Sequence, residues 1–138
     1  MLLLAGSFSV LGAELPARAE PYLEAIEKAE VDNGMPSGLL LNLLRNESNF
    51  DASIVSHKGA KGIAQIVPKW HPDVDPYDPY ESISYAGKYL KKLKTTFGSW
   101  SYAIIAYNWG MGNMKKYGPN KAPRETLLLL SRTVNPIF

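Results

Sequence analysis

Cysteine is absent from all 138 residues, so disulfides and thiolate zinc sites are excluded. The compartment stays open, because many bacterial and viral envelope proteins also lack cysteine. Histidine is scarce as well: the two present, His57 and His71, sit in loop-like sequence without metal-ligand spacing, so neither a metal nor another cofactor is expected. The N-terminal apolar run, MLLLAGSFSVLG, is too short to span a bilayer, and no stable membrane span is expected. A net charge of +2 is too small to imply a nucleic-acid partner. No GxSxG elbow occurs, which argues against a serine hydrolase. Gly59-x-x-Gly62 lacks the Lys-Ser/Thr of a phosphate loop; its glycines more simply let the backbone approach something closely. The acids Asp73, Asp75, Asp78 and Glu81 lack the register of a calcium loop and read as solvated. Strand signals, internal repeats and low-complexity segments are also missing, so the expected fold is all-α or mainly α.

What is present suffices for one compact domain. Hydrophobic residues make up 46% of the chain, enough for a core without staples. Eight Tyr and three Trp offer flat faces for sugars or simply fill that core. Residues 1–19 form an apolar N-terminal segment with two readings. Ala17-Arg18-Ala19 has the small-x-small form of a signal-peptidase site, yet no Lys or Arg precedes the apolar run. A removable signal peptide and a hydrophobic arm that packs on the domain or a partner both stay open. Residues 20–138 form the domain.

Within it, Pro21 to Asp32 is expected to form a helix with Leu23, Ile26 and Ala29 inward, stopped by Asn33-Gly34. A second helix starts at Pro36-Ser37 and ends near Asn49. An aperiodic loop follows through Tyr80, with Asp78 or Ser82 capping a helix from Ser82 to Thr96. Lys88, Lys91 and Lys92 on that helix read as a solvated face. Ser99 caps a helix from Trp100 to Trp109, expected to be the buried centre and broken by Gly110 and Gly112. The last helix, Pro123 to Val134, is expected to turn Leu127, Leu128 and Leu130 inward.

One residue breaks the pattern of the second helix. Leu40, Leu43, Leu44 and Glu47 fall at i, i+3, i+4 and i+7, on one helical face. A carboxyl group therefore continues a leucine stripe. Desolvation and the negative end of the helix dipole would both raise its pKa. A carboxyl that keeps its proton near neutrality can protonate a leaving oxygen, as glycosidic cleavage requires. The competing reading is an exposed Glu on a frayed helix end. A second carboxylate is ordinarily expected for glycoside hydrolysis. Asp51 is nearest but follows the helix end, and no obvious partner is supplied.

Three stretches now coincide: Glu47-Ser48-Asn49-Phe50, then GAKGIAQIVP from Gly59 to Pro68, then Ala106-Tyr107-Asn108-Trp109-Gly110. Together, in order and at these intervals, they resemble the motifs of the soluble lytic transglycosylase family, related to goose-type lysozymes. Asp78-Pro79, Ser82-Ile83, Gly87, Tyr89-Leu90 and Glu125-Thr126 fit as well, so the resemblance covers roughly residues 21–134. It implies a lysozyme-like helical domain with a glycan-binding groove. It implies cleavage of the β-1,4 bond between N-acetylmuramic acid and N-acetylglucosamine in peptidoglycan, ending in a 1,6-anhydro ring. In that family one Glu acts as acid and then base, and the substrate's N-acetyl group stands in for a nucleophile. The missing second carboxylate is then no defect. Residue by residue, the resemblance makes Glu47 the catalytic acid/base. It makes Ser48 and Gln65 groove-lining polar groups, with Ser48 steering the N-acetyl group, and puts Tyr107 and Asn108 beside the Glu. For Tyr107 and Asn108 the structural alternative is simple helix-end packing.

Two departures stand out. Ile63-Ala64 replaces a larger apolar pair, which implies a more open subsite wall, and Leu129 stands where relatives often carry Tyr. The implied partners are peptidoglycan glycan strands, with virion or cell-envelope assembly partners also suited to so small a domain. The implied location is the periplasm or cell envelope, or a phage virion. Two other activities stay in play: a muramidase that uses water, and a glycan-binding or virion structural module without turnover.

Overall fold

The leucine stripe does form a helix, and the rest of the chain wraps it. The computed structural model describes residues 9–10 and 13–137. Its helices are α1 (Leu23–Asp32), α2 (Leu39–Ser48), α3 (Pro79–Phe97), α4 (Trp100–Trp109), α5 (Met111–Tyr117) and α6 (Arg124–Val134). Short 3-10 helices precede α1 (Ala17–Tyr22) and α6 (Pro119–Lys121). Two-residue strands, β1 (Ser9–Val10) and β2 (Ala13–Glu14), pair antiparallel ahead of them. Among the described residues the fold is thus all-α apart from this pairing and isolated bridges of Lys61 with Val55 and Ile66. Most of the apolar run 1–12, on which the signal-or-arm question turns, lies outside the described residues.

The buried centre is α2, not α4. Every residue from Leu39 to Leu44 is buried, Asn42 included, because α2 lies between α1 and α6. Each fully buried Leu is worth about 1.5–3 kcal/mol of transfer free energy. Helix α4 buries only Ala103 to Ala106 completely, while Tyr102 is exposed and the remaining aromatics are half-covered.

Helix α2 begins at Leu39 rather than Pro36, because Gly38 takes a left-handed φ of 91°, which glycine adopts at no steric cost. No neighbouring side chain caps it. Glu30 of α1 does so from a distance: its carboxylate accepts from Gly38 N (3.0 Å) and Leu41 N (3.1 Å), two of the amides a helix start leaves unpaired. Helix α3 has a local cap, with Asp78 accepting from Tyr80 N and Glu81 N. It crosses α1 at Gly87, where a Cβ would stand 2.8 Å from Asn33 Nδ2 and 3.2 Å from Ala29 Cβ.

Two further sequence expectations need correction. Only Gly110 breaks the chain after Trp109; Gly112 lies inside α5, whose Met114 is buried. On α6, Leu127 and Leu128 are 43% and 38% exposed, and the inward residues are Thr126, Leu129 and Thr133. The threonines turn inward because α2 and α4 offer them polar partners: Asn42 and Asn46 of α2 reach Thr133, and Thr126 reaches Asn108 of α4. Ahead of residue 20, Leu15 and Ala19 are buried in the core.

Candidate active site

Glu47 is the penultimate residue of α2 and half-buried. The turn behind it is tightly fixed. Asn49 and Phe50 both take left-handed backbone, with φ of 49° and 62°, a conformation that costs a non-glycine residue roughly 1–3 kcal/mol. Burial of the Phe50 ring offsets that strain. Arg18 adds a clamp, with Nε donating to Asn49 O at 2.8 Å.

Ser48 belongs to this turn. It is buried, its hydroxyl accepts from Phe50 N (3.2 Å), and Ile63 O (2.7 Å) and Leu44 O (3.1 Å) both stand within reach of its proton. The hydroxyl is committed inside the protein and does not line the groove. It ties the end of α2 to the glycine-rich loop.

That loop forms one wall. Lys61 and Ile66 exchange two backbone hydrogen bonds of 2.9 Å, closing a tight turn over Gly62. Glycine is required at Gly62 (φ 75°), where a Cβ would meet Pro76 O at 1.9 Å. Gln65 takes φ 51° and anchors its amide nitrogen on Gly62 O (3.0 Å) and Ile54 O (3.3 Å). Ile63 and Ala64 are fully buried, so this pair opens no subsite wall. Ile66 and Val67 are the residues that face the cleft. Leu129 is likewise in the core and does not reach the groove as a Tyr would.

The cleft itself encloses about 960 Å³. Gln65, Tyr107 and Asn108 line it, as do Trp70, His71, Tyr85 and Tyr89, which the sequence reading did not place in a groove. His71 stacks edge-on with Tyr85 and Tyr89 at 5.3 and 4.6 Å between ring centres, and Tyr89 continues to Tyr107 at 6.0 Å. Such a row of ring faces suits sugars. The missed signal lies in spacing: Tyr85 and Tyr89 are i, i+4 on α3, on one helical face.

Asn108 is the lining residue that touches Glu47, donating from Nδ2 to Oε1 at 3.3 Å. Its orientation is set by Thr126, whose hydroxyl donates to Asn108 Oδ1 at 2.8 Å. Thr126 is buried, so this chain of donors is fixed from inside the fold. Oε2 of Glu47 takes no protein partner among the described residues and is open to solvent. The two carboxyl oxygens are therefore unequal: one is held, the other is free to exchange a proton.

Electrostatics follow from this placement. Burial pushes the Glu47 carboxyl up to about 7, and the Asn108 amide pulls weakly the other way. The Tyr107 phenol is pushed well above its ordinary range by burial and then by the charge of Glu47. Tyr107 donates to Ala64 O at 2.6 Å, tying α4 to the loop. The other nearby acids are engaged elsewhere. Asp51 accepts from the amide and hydroxyl of Ser53, and Glu125 pairs with Lys58. Among the described residues no His, Asp and Glu converge to hold a metal ion, and no helix is long and apolar enough to cross a membrane.

The model of the Transglycosylase SLT domain matches residues 24–129. "Membrane-bound lytic murein transglycosylase C" of Sodalis glossinidius is 31% identical over 122 residues, covering 72% of this chain and 34% of the relative. The proteins of the same name from Pectobacterium atrosepticum and Edwardsiella ictaluri are 31% and 30% identical over the same shares. A "Putative tributyltin chloride resistance protein" of Alteromonas sp. is 35% identical over 108 residues, covering 71% of this chain and 52% of the relative. The chain thus spans from a third to a half of the length of these relatives. A single half-buried carboxyl at a helix end, an aromatic cleft beside it and a match over most of the domain agree: the chain belongs to the transglycosylase SLT family.

Proposed function

We propose that this chain cleaves the β-1,4 bond between N-acetylmuramic acid and N-acetylglucosamine in peptidoglycan, as a lytic transglycosylase acting at the cell wall. The observation that carries the reading is Glu47. It is one carboxyl with a pKa of about 7, one oxygen held by Asn108 and the other open, with no second carboxylate engaged at the site.

Near neutrality a large share of Glu47 is protonated. Its proton passes to the glycosidic oxygen, and the bond from that oxygen to muramic C1 breaks. The substrate's N-acetyl oxygen holds the positive charge that develops at C1. Glu47, now a carboxylate, takes the proton of the muramic C6 hydroxyl, and that oxygen bonds to C1 to close the 1,6-anhydro ring. The proton lost in the first half returns in the second, and no water is consumed. Asn108 stabilises the carboxylate between the two halves. The ring faces of Tyr89 and Tyr107 and the amide of Gln65 bind sugar, while Ser48 keeps the helix end in register. The cell envelope is where such a polymer is met, whether the domain reaches it from a bacterium or on a virion.

Mass spectrometry of muropeptides released from purified sacculi tests this. Anhydromuramoyl ends are expected, and Glu47→Gln should abolish them. Reducing ends instead would make the enzyme a muramidase, and unchanged lysis by Glu47→Gln would remove Glu47 from the chemistry.

A further inference from the structure

The cleft carries a charge pattern that the chemistry at Glu47 does not use. Lys58, Lys88, Lys92 and Lys116 all line it, and no Asp or Glu does. The whole chain holds 15 Lys and Arg against 13 Asp and Glu, so the lining departs sharply from the chain's own balance. Lys58 is offset by Glu125 at 2.8 Å. Lys88, Lys92 and Lys116 have no ion-pair partner among the described residues. Lys88 and Lys92 stand at i, i+4 on α3, where like charges repel, and Lys116 comes from α5. Lys91 is equally exposed but does not line the cleft, so position and not mere abundance sets the pattern. The field is felt inside: the His71 imidazole is held below its ordinary range by burial and by the charge of Lys92. Cations of one sign around a cleft with low-dielectric walls concentrate anions in it.

We propose that Lys88, Lys92 and Lys116 form a carboxylate-binding rim, so that the preferred substrate is a glycan whose muramoyl side chains carry free carboxylates. The proposal rests on the reading of the cleft as a glycan groove and names what that groove selects. The backbone of an N-acetylated hexosamine polymer is neutral. Its anions are the lactyl carboxyl of each muramoyl unit, where unsubstituted, and the acids of an attached peptide. An uncharged N-acetylglucosamine oligomer offers the same ring faces and amides and nothing for the lysines. Exposed lysines act through a field that salt screens over about 8–10 Å, so the preference fades as ionic strength rises.

The test is binding by the full chain carrying Glu47→Gln, which separates recognition from turnover. Four probes are used: sacculi with free peptide carboxylates, sacculi with amidated peptides, glycan strands stripped of peptide, and N-acetylglucosamine hexamer. At low salt the K88Q/K92Q/K116Q combination should weaken binding to carboxylate-bearing sacculi by about 5- to 20-fold. Binding of the neutral hexamer should change by less than about twofold, and the melting temperature should hold. Lys91→Gln should have no effect on any probe. Loss of the lysine dependence on amidated sacculi assigns the anion to the peptide, and its survival on stripped strands assigns it to the lactyl carboxyl; both support the rim. Sacculus binding unchanged in the triple variant overturns it, as does an equal loss for the neutral hexamer. Failure of the chain with its lysines intact to bind any glycan would overturn the groove reading itself.

Discussion

Helix α2 is bracketed by two carboxyl groups that differ instructively. Glu30 reaches its N-terminal end and Glu47 sits at its C-terminal end. Both continue an apolar stripe: Leu23, Ile26 and Glu30 on α1, and Leu40, Leu43, Leu44 and Glu47 on α2. Both have their pKa raised by burial. Glu30, however, faces the positive end of the helix dipole and accepts two backbone amides. Glu47 faces the negative end and has one long bond from a side-chain amide. Burial alone therefore does not mark a catalytic acid. What marks it is burial with the compensating donors left out and one oxygen left open.

Four experiments sharpen or break that contrast. The largest effect should come from Glu47→Gln, which should lower anhydro-product formation by at least ~10³-fold while the protein stays folded by near-UV circular dichroism. Next, Glu30→Ala strands two buried amides and should cost about 2–4 kcal/mol, or roughly 6–15 °C in melting temperature, with any activity that survives at low temperature retaining its pH profile. A Glu30→Ala protein of native stability would break the comparison.

The third effect concerns pH. Both folded pKa values lie above their unfolded ones, so each group favours folding fully below the unfolded value near 4.5. That stability is lost as pH rises through the folded value, for Glu47 across about pH 4.5 to 7. Denaturant titrations should thus show Glu47→Gln gaining roughly 1–3 kcal/mol over the unsubstituted chain at pH 8 and nothing at pH 4. A gain that is the same at both pH values would remove the linkage.

The smallest effect belongs to Thr126→Val. Without its donor the Asn108 amide is free to turn, and turnover should fall about tenfold. The alkaline limb of the pH–rate profile should shift upward, because Asn108 lowers the pKa of Glu47. Charged groups near this chain of donors, Lys58 and Glu125, are already paired and should leave the limb in place. Thr126→Ser should restore both readings; a normal profile in Thr126→Val would reduce Thr126 to packing.

Local signals carried far here. The 3.6-residue period put Glu47 on the right face, and Asp78 and Ser99 cap α3 and α4 as their side-chain chemistry predicts. The same period runs from Leu23 and Ile26 to Glu30, an acid the sequence reading did not single out, and a stripe alone does not tell the two acids apart, because their difference is which helix end each one meets. That is a tertiary fact. The errors have the same origin. Leu127 and Leu128 on α6 looked like part of its inner face beside Leu130, which does pack on the core, but α2 and α4 offered polar partners to Thr126 and Thr133, and the helix turned accordingly. Ser48 carries a motif residue's chemistry but spends it on backbone groups, a destination set by a loop 15 residues away. Trp70, His71, Tyr85 and Tyr89 could not be gathered into one cleft until α3 and the loop before it were folded together.

The contact between Gly62 and Pro76 limits how this groove can be remodelled. The loop over residues 59–66 looks like a portable cassette, with its own turn and its own paired hydrogen bonds. It is not self-sufficient, because a Cβ at Gly62 would stand 1.9 Å from the Pro76 carbonyl oxygen, in a segment with no role of its own in the chemistry. Grafting the loop alone onto another helical scaffold would leave the glycine without the surface it was shaped against, and the wall could relax away from the acid. Transplanting 54–66 together with 72–78 moves the wall as one unit, since Gly62 N also donates to Ile54 O and Ser56 N to Ala60 O. Chimeras between members of this family should therefore be cut on either side of that pair, never between its halves.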